Sequence, residues 1–181
     1  MLENLSKIKE IKNLMKIAAQ VEDLKIVFDL TCRSVNQVDP VYGETVTGFT
    51  YSKKNMMLIG KDANDDKRYG TFAHELCHLV MEQVYENGAN PFCLNDELKR
   101  TELDQIVEKY RNSVKENPKG HDNSIRWIFK YKINLQLLEL IVRVPHMLAQ
   151  YRNDEKKFEE LKIQFKDLFD FYEQKVQPDL K

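Results

Sequence analysis

Gly70 to Met81 reads GTFAHELCHLVM, and this stretch decides how the rest of the chain is organised. Thr71, Phe72 and Ala73 lead into His74-Glu75-Leu76-Cys77-His78, and Leu79 and Val80 follow without a charge. A surface helix interleaves charged residues around an apolar stripe, whereas a helix that is apolar nearly all round belongs in a core. Residues four apart share a helix face, so the imidazoles of His74 and His78 point the same way and can reach a single ion. Burying two imidazoles and a carboxylate without a partner is costly, and a metal cation is the natural partner. Zinc accepts imidazole nitrogen at about 2.0–2.1 Å. Glu75 lies about 100° around the helix from His74, beside the open position of such an ion. There its carboxylate can take a proton from a water whose pKa the metal lowers to about 7.

Outward from this segment the sequence predicts an α+β fold, mostly helical, with a small antiparallel sheet packed against the motif helix. That helix is expected from about Asp66 to Asn87, closed by Asn87-Gly88 as a C-cap and Asn90-Pro91 as a turn. On its N-terminal side, Glu44 to Tyr51 and Met56 to Gly60 are rich in β-branched, aromatic and apolar residues. They read as two strands joined by Ser52 to Asn55. Leu24 to Leu30 is open between a strand and a helical extension. Leu2, Leu5, Ile8, Ile11 and Ala18 recur at helical steps and predict an N-terminal helix over 2–20. On the C-terminal side, Asn95 or Asp96 can cap a helix running to Asn112, Asn117 to Gly120 is a loop, and Asp122 can cap another helix. Leu135 to Arg143 and Pro145 to Tyr151 read as helical segments with a break or kink at Pro145. A last helix over 154–177 presents Phe158, Leu161, Phe165, Leu168 and Tyr172 to the core. The length of 181 residues suits one domain, with the sheet and motif helices over about 44–112 and a helical part over 121–178.

The HExxH segment and its uncharged flanks resemble the extended signature of the zincin metallopeptidases. The order of strand (Met56 to Gly60), polar loop and motif helix resembles the catalytic half of that family, a likeness covering about residues 44–110. The resemblance implies a zinc ion held by His74 and His78, Glu75 as general base, and hydrolysis of peptide bonds. It further implies that Met56 to Gly60 is the sheet edge on which an extended substrate pairs. A catalytic zinc needs a third protein ligand. The metzincin continuation is absent, since Met81 to Tyr85 supplies neither its glycine nor its histidine. The gluzincin pattern, a glutamate on the following helix, leaves Asp96, Glu97, Glu102, Asp104 and Glu108. If that helix returns antiparallel, it regains the level of His78 around residues 102 to 105, which selects Glu102, with Asp104 as competitor. For the residue facing the oxyanion, His146, Tyr110 and Tyr131 are the candidates; for His146 a place in the core is the plainer reading. Cys77 reads as a small apolar filler. His121 reads as a loop histidine, and Asp62, Asp65 and Asp66 as a solvated capping loop without calcium spacing.

Composition narrows the remaining classes. Lys and Arg number 28 against 29 Asp and Glu, a balance without the basic clustering that nucleic acid or an anionic membrane requires. Cysteines number three, without CxxC spacing, which argues against a disulfide framework and for a reducing, cytoplasmic setting. The N-terminal stretch alternates charged with apolar residues and has no signal-peptide core. The expectation is therefore a cytoplasmic zinc metallopeptidase acting on peptide or protein substrates, with no nucleic-acid or membrane partner. A catalytically silent binding module on the same frame, part of a larger protein, is the alternative.

Overall fold

The computed structural model describes residues 1–28, 48–60, 65–84, 96–117 and 123–180. Two short helices open the chain, α1 (Leu2–Leu5) and α2 (Lys9–Ala18). The single helix expected over 2–20 is divided because Ile8 is extended (φ -87°, ψ 115°). Even so, Leu5, Ile11, Leu14 and Ala18 all reach the core.

Three strands follow in the sheet order β1-β3-β2: β1 (Lys25–Phe28), β2 (Gly48–Tyr51) and β3 (Met56–Ile59). β2 and β3 form the expected antiparallel hairpin, Gly48 opposite Ile59 and Tyr51 opposite Met56, through a 3₁₀ turn at Ser52–Lys54. Asn55 closes it with φ 47°, a left-handed conformation that asparagine tolerates better than most residues. β1 pairs with β3 in parallel, Lys25 opposite Met56 and Phe28 opposite Ile59. Two expectations are corrected here. The sheet is mixed rather than antiparallel, and β3 is its central strand rather than an edge open to substrate. The sequence MMLI explains the placement, because a strand so uniformly apolar is best accommodated between neighbours. Met57 and Ile59 are buried under the sheet, and Phe28 stacks on Phe72 of the helix below at 5.9 Å.

That helix is α3 (Asp65–Val84), which carries the motif. From Tyr69 to Met81 every residue is buried except His78, whose side chain is 12% exposed, as expected of a helix with apolar residues on all sides. α4 (Glu97–Glu116) is capped by Asp96, whose Oδ1 accepts from the amides of Leu98 (3.0 Å) and Lys99 (3.2 Å). α5 (Asn123–Ile128) leads into α6 (Ile133–Gln150). Proline removes one backbone donor and normally breaks a helix, yet α6 runs unbroken through Pro145 because Val144, Met147 and Ala149 around it are buried. The last expected helix is in fact two, α7 (Glu155–Gln164), capped by Asp154, and α8 (Lys166–Phe171). They divide at Phe165 (φ -114°, ψ 33°), whose ring is fully buried; a π-helical turn (Tyr172–Val176) and a 3₁₀ turn (Gln177–Leu180) follow. The molecule is α+β and mostly helical. Among the described residues no helix is long and apolar enough to cross a membrane.

The contact that positions the site is α3 against α6, the most extensive packing of two elements among the described residues. The two run antiparallel, with Gly70 facing His146 and Gln150 at one end and His78 facing Glu139 at the other. Gly70 permits the close approach, since a Cβ there would lie 3.0 Å from both Gln150 Cβ and His146 Nε2.

Candidate metal centre

One turn of α3 separates His74 from His78, and their Nε2 atoms face each other at 3.1 Å. Glu139 of α6 completes the cluster: its Oε1 lies 3.3 Å from His78 Nε2 and its Oε2 3.6 Å from His74 Nε2. One ligand atom from each residue falls within 4.8 Å of the others. All three side chains are about nine-tenths buried, at 10%, 12% and 10% exposure for His74, His78 and Glu139.

The protonation states suit a cation. Burial chiefly, then the positive charges of Arg143, His78 and His146, hold His74 well below the usual histidine value, so its ring is the neutral, ligating form. Burial would raise Glu139, but the hydrogen bond and charge of His78, together with Arg143 and His146, outweigh it and keep the carboxyl below its ordinary range. Glu139 Oε2 accepts no hydrogen bond among the described residues. Arg143 Nη2 stands 3.6 Å from that oxygen as a counter-charge, and the carboxylate together with two convergent imidazole nitrogens offers a donor set N, N, O. Two imidazoles and one carboxylate at this spacing could hold a divalent cation.

Glu75 interacts electrostatically with His78 and Glu139 and is also held by the sheet. Thr50 of β2 donates its hydroxyl to Glu75 Oε2 at 2.8 Å and also stands 3.0 Å from the Glu75 carbonyl. Burial raises the Glu75 carboxyl above its ordinary value, although His78 and Thr50 both pull it down. β2 can come this near because residue 48 is glycine. A Cβ at Gly48 would stand 2.6 Å from Thr71 Cγ2 and 2.7 Å from Cγ and Oε1 of Glu75, closer than real Cβ atoms approach.

The expected third ligand, Glu102, does not join this cluster, and neither does Asp104. Glu102 is exposed and lines a surface hollow with Gln105, Lys109, Asp167 and Asp170. Asp104 is 57% exposed and sits 4.0 Å from Arg100. α4 packs through Leu103, Ile106, Val107 and Tyr110 and meets α6 and α8. The carboxylate that does reach the histidines comes from two helices further on. Of the oxyanion candidates, His146 reaches the motif: its ring centroid is 5.8 Å from that of His74, and its Nε2 is 2.8 Å from Gln150 Oε1. Tyr110 is buried edge-on against Phe165 at 5.2 Å, its phenol raised chiefly by burial. Tyr131 lies in the turn before α6, where its carbonyl accepts from Gln136. Cys77 is buried, with Sγ 3.8 Å from Met81 Sδ, as a core filler would be. His121, Asp62, Cys32 and Cys93 lie outside the described residues.

Sequence reading missed Glu139, Arg143, Thr50 and Gly48. For the first two a signal existed, since Glu139 and Arg143 are the only charged residues between Ile133 and Gln150. No protein-family model matches this chain, and no curated protein or solved structure matches it.

Proposed function

We propose that this protein is a zinc-dependent metallopeptidase, centred on His74, His78 and Glu139 with Glu75 as general base. The observation that carries the reading is the convergence of two imidazole nitrogens and one ionised carboxylate in a buried cluster, with a second, separately held carboxylate beside it. Zinc bound there would supply Lewis acidity and lower the pKa of a water. Glu75, oriented by Thr50 and raised by burial, would be the base that takes the proton of a water attacking a peptide carbonyl and would return that proton to the departing amine.

The substrate belongs on β2 rather than β3. β3 has strands on both sides, whereas among the described residues β2 is paired only with β3, and Thr50 links it directly to Glu75. An extended peptide adding to that side of the sheet would pass beside the general base. The cytoplasmic setting remains part of this proposal, supported by an odd cysteine count without CxxC spacing.

The test is zinc content together with cleavage of a peptide library by the wild type and Glu75→Gln. Zinc in both proteins and cleavage by the wild type alone is the expected result. Zinc in both with cleavage by neither would instead favour the silent binding module, and a wild type that takes up no zinc would end the metal reading.

A further inference from the structure

Arg143 has no place in the chemistry just described, yet it is one of two charged residues in the apolar run of α6. It sits one turn beyond Glu139, with a side chain 11% exposed. Nη2 lies 3.6 Å from Glu139 Oε2, the same oxygen that faces His74, and Nε has no hydrogen-bond partner among the described residues. A guanidinium buried to this degree requires an anion. Arg143 acts electrostatically on His74, Glu75 and Glu139, and of these the carboxylate within ion-pair distance is Glu139.

The two oxygens of Glu139 are not equivalent. Oε1 stands nearer the imidazoles, 3.3 Å from His78 Nε2, while Oε2 is shared at 3.6 Å between His74 Nε2 and Arg143 Nη2. A divalent ion between the imidazoles and the guanidinium on the other side would compete for one carboxylate. We infer that Arg143 is a positioning residue that retains Oε2 of Glu139, so that Glu139 offers a bound metal Oε1 alone. This rests on the metal reading above. Its consequence is a zinc site with two nitrogens and one carboxylate oxygen from the protein, which leaves the fourth tetrahedral position to water. With both oxygens on the metal, keeping that water would require a fifth coordination position.

Simple charge repulsion and positioning predict opposite signs. Removing a cation beside a metal ion tightens binding if repulsion dominates, whereas losing an outer-shell partner of a ligand weakens it about 10–100-fold. The experiment uses the full chain, zinc and cobalt(II). X-ray absorption of the zinc-loaded wild type is expected to show a single carboxylate oxygen. Arg143→Met should lower zinc affinity, measured against a chelator, by about 10–100-fold and shift the visible spectrum of bound cobalt toward higher coordination. Arg143→Lys should restore most of both, while circular dichroism of the metal-free variants reports folding separately. Unchanged or tighter zinc binding in Arg143→Met overturns the inference, as do two carboxylate oxygens on zinc in the wild type. If Arg143→Met does not fold, the wild-type absorption measurement decides. A wild type that binds no zinc defeats the metal reading itself, an outcome distinct from zinc bound through both oxygens.

Discussion

α4 and α6 both carry carboxylates within reach of a reader looking for a ligand, and they differ in what surrounds those carboxylates. α4 holds Glu97, Glu102, Asp104, Glu108 and Glu116 among lysines and arginines. Its acids are at its surface, making short-range ion pairs such as Glu108 with Arg111 and Asp104 with Arg100. α6 holds a single carboxylate, Glu139, in a helix of leucine, isoleucine and valine, and that one is buried against the two histidines. The cost of burial explains the contrast. A charge on a solvated face needs no partner, whereas one embedded in an apolar helix persists only where something specific compensates it. An acid out of character with its helix is therefore a better ligand candidate than an acid at a convenient sequence distance.

The sharpest way to break this comparison is to neutralise one carboxylate from each helix. Glu139→Gln should lose zinc affinity by more than about 100-fold, beyond the usual range for an outer-shell group, whereas Glu102→Gln should bind as the wild type does. Equal losses, or a loss confined to Glu102→Gln, would restore α4 as the source of the third ligand. Glu75→Gln should leave zinc content unchanged and reduce peptide hydrolysis by about 10²–10⁴, the usual contribution of a general base, as measured by kcat/KM on any cleaved library peptide.

A smaller effect concerns the approach of β2 to α3. Gly48→Ala inserts a methyl group where Thr71 and Glu75 already stand, and overpacking of this kind costs about 1–3 kcal/mol. Thermal unfolding should register the loss, and hydrolysis should fall beyond what the stability change explains because Glu75 is displaced.

The buried His74 of α3, facing α6, also makes a pH prediction for the metal-free protein. Burial first, and then Arg143, His78 and His146, depress the His74 value on folding, so the unfolded chain binds a proton there that the folded one does not. Stability from this group is complete above the ordinary histidine value of about 6.5 and is lost as pH falls below it. Thermal scans of chelator-treated protein should show a fall from neutral toward acidic pH that is shallower in His74→Gln. An identical slope in both would remove His74 as its source. The smallest expected effect lies on α4, far from the chemistry in function if not in sequence. Asp96→Ala removes a cap worth about 1 kcal/mol, lowering the melting temperature by about 2–4 °C for a chain of this size, with zinc affinity unchanged.

Much of the architecture is legible in the sequence because it follows from local rules. The burial of α3 follows from uncharged residues on all its sides, the β2–β3 hairpin from two apolar runs around Ser52 to Asn55, and the start of α4 from Asp96. The misjudged elements share a physical cause, which is that packing overrides a local signal. Pro145 does not break α6 because its neighbours are held in the core, and Phe165 divides the last helix by burying its ring. β3 lost its expected role at the edge because Lys25–Phe28, ambiguous in sequence, arrives beside it in parallel. Gly48 and Thr50 carry no signal of their own, since their importance lies in a helix 23 to 27 residues away in the sequence.

By itself, the sequence determined that His74 and His78 share one face of a buried helix with Glu75 beside them, because a helical period is a property of consecutive residues. Only the tertiary structure decided that Glu139 faces them and that Thr50 holds Glu75. A contact between helices depends on how whole faces pack, and the spacing of residues along the chain does not encode which face meets which.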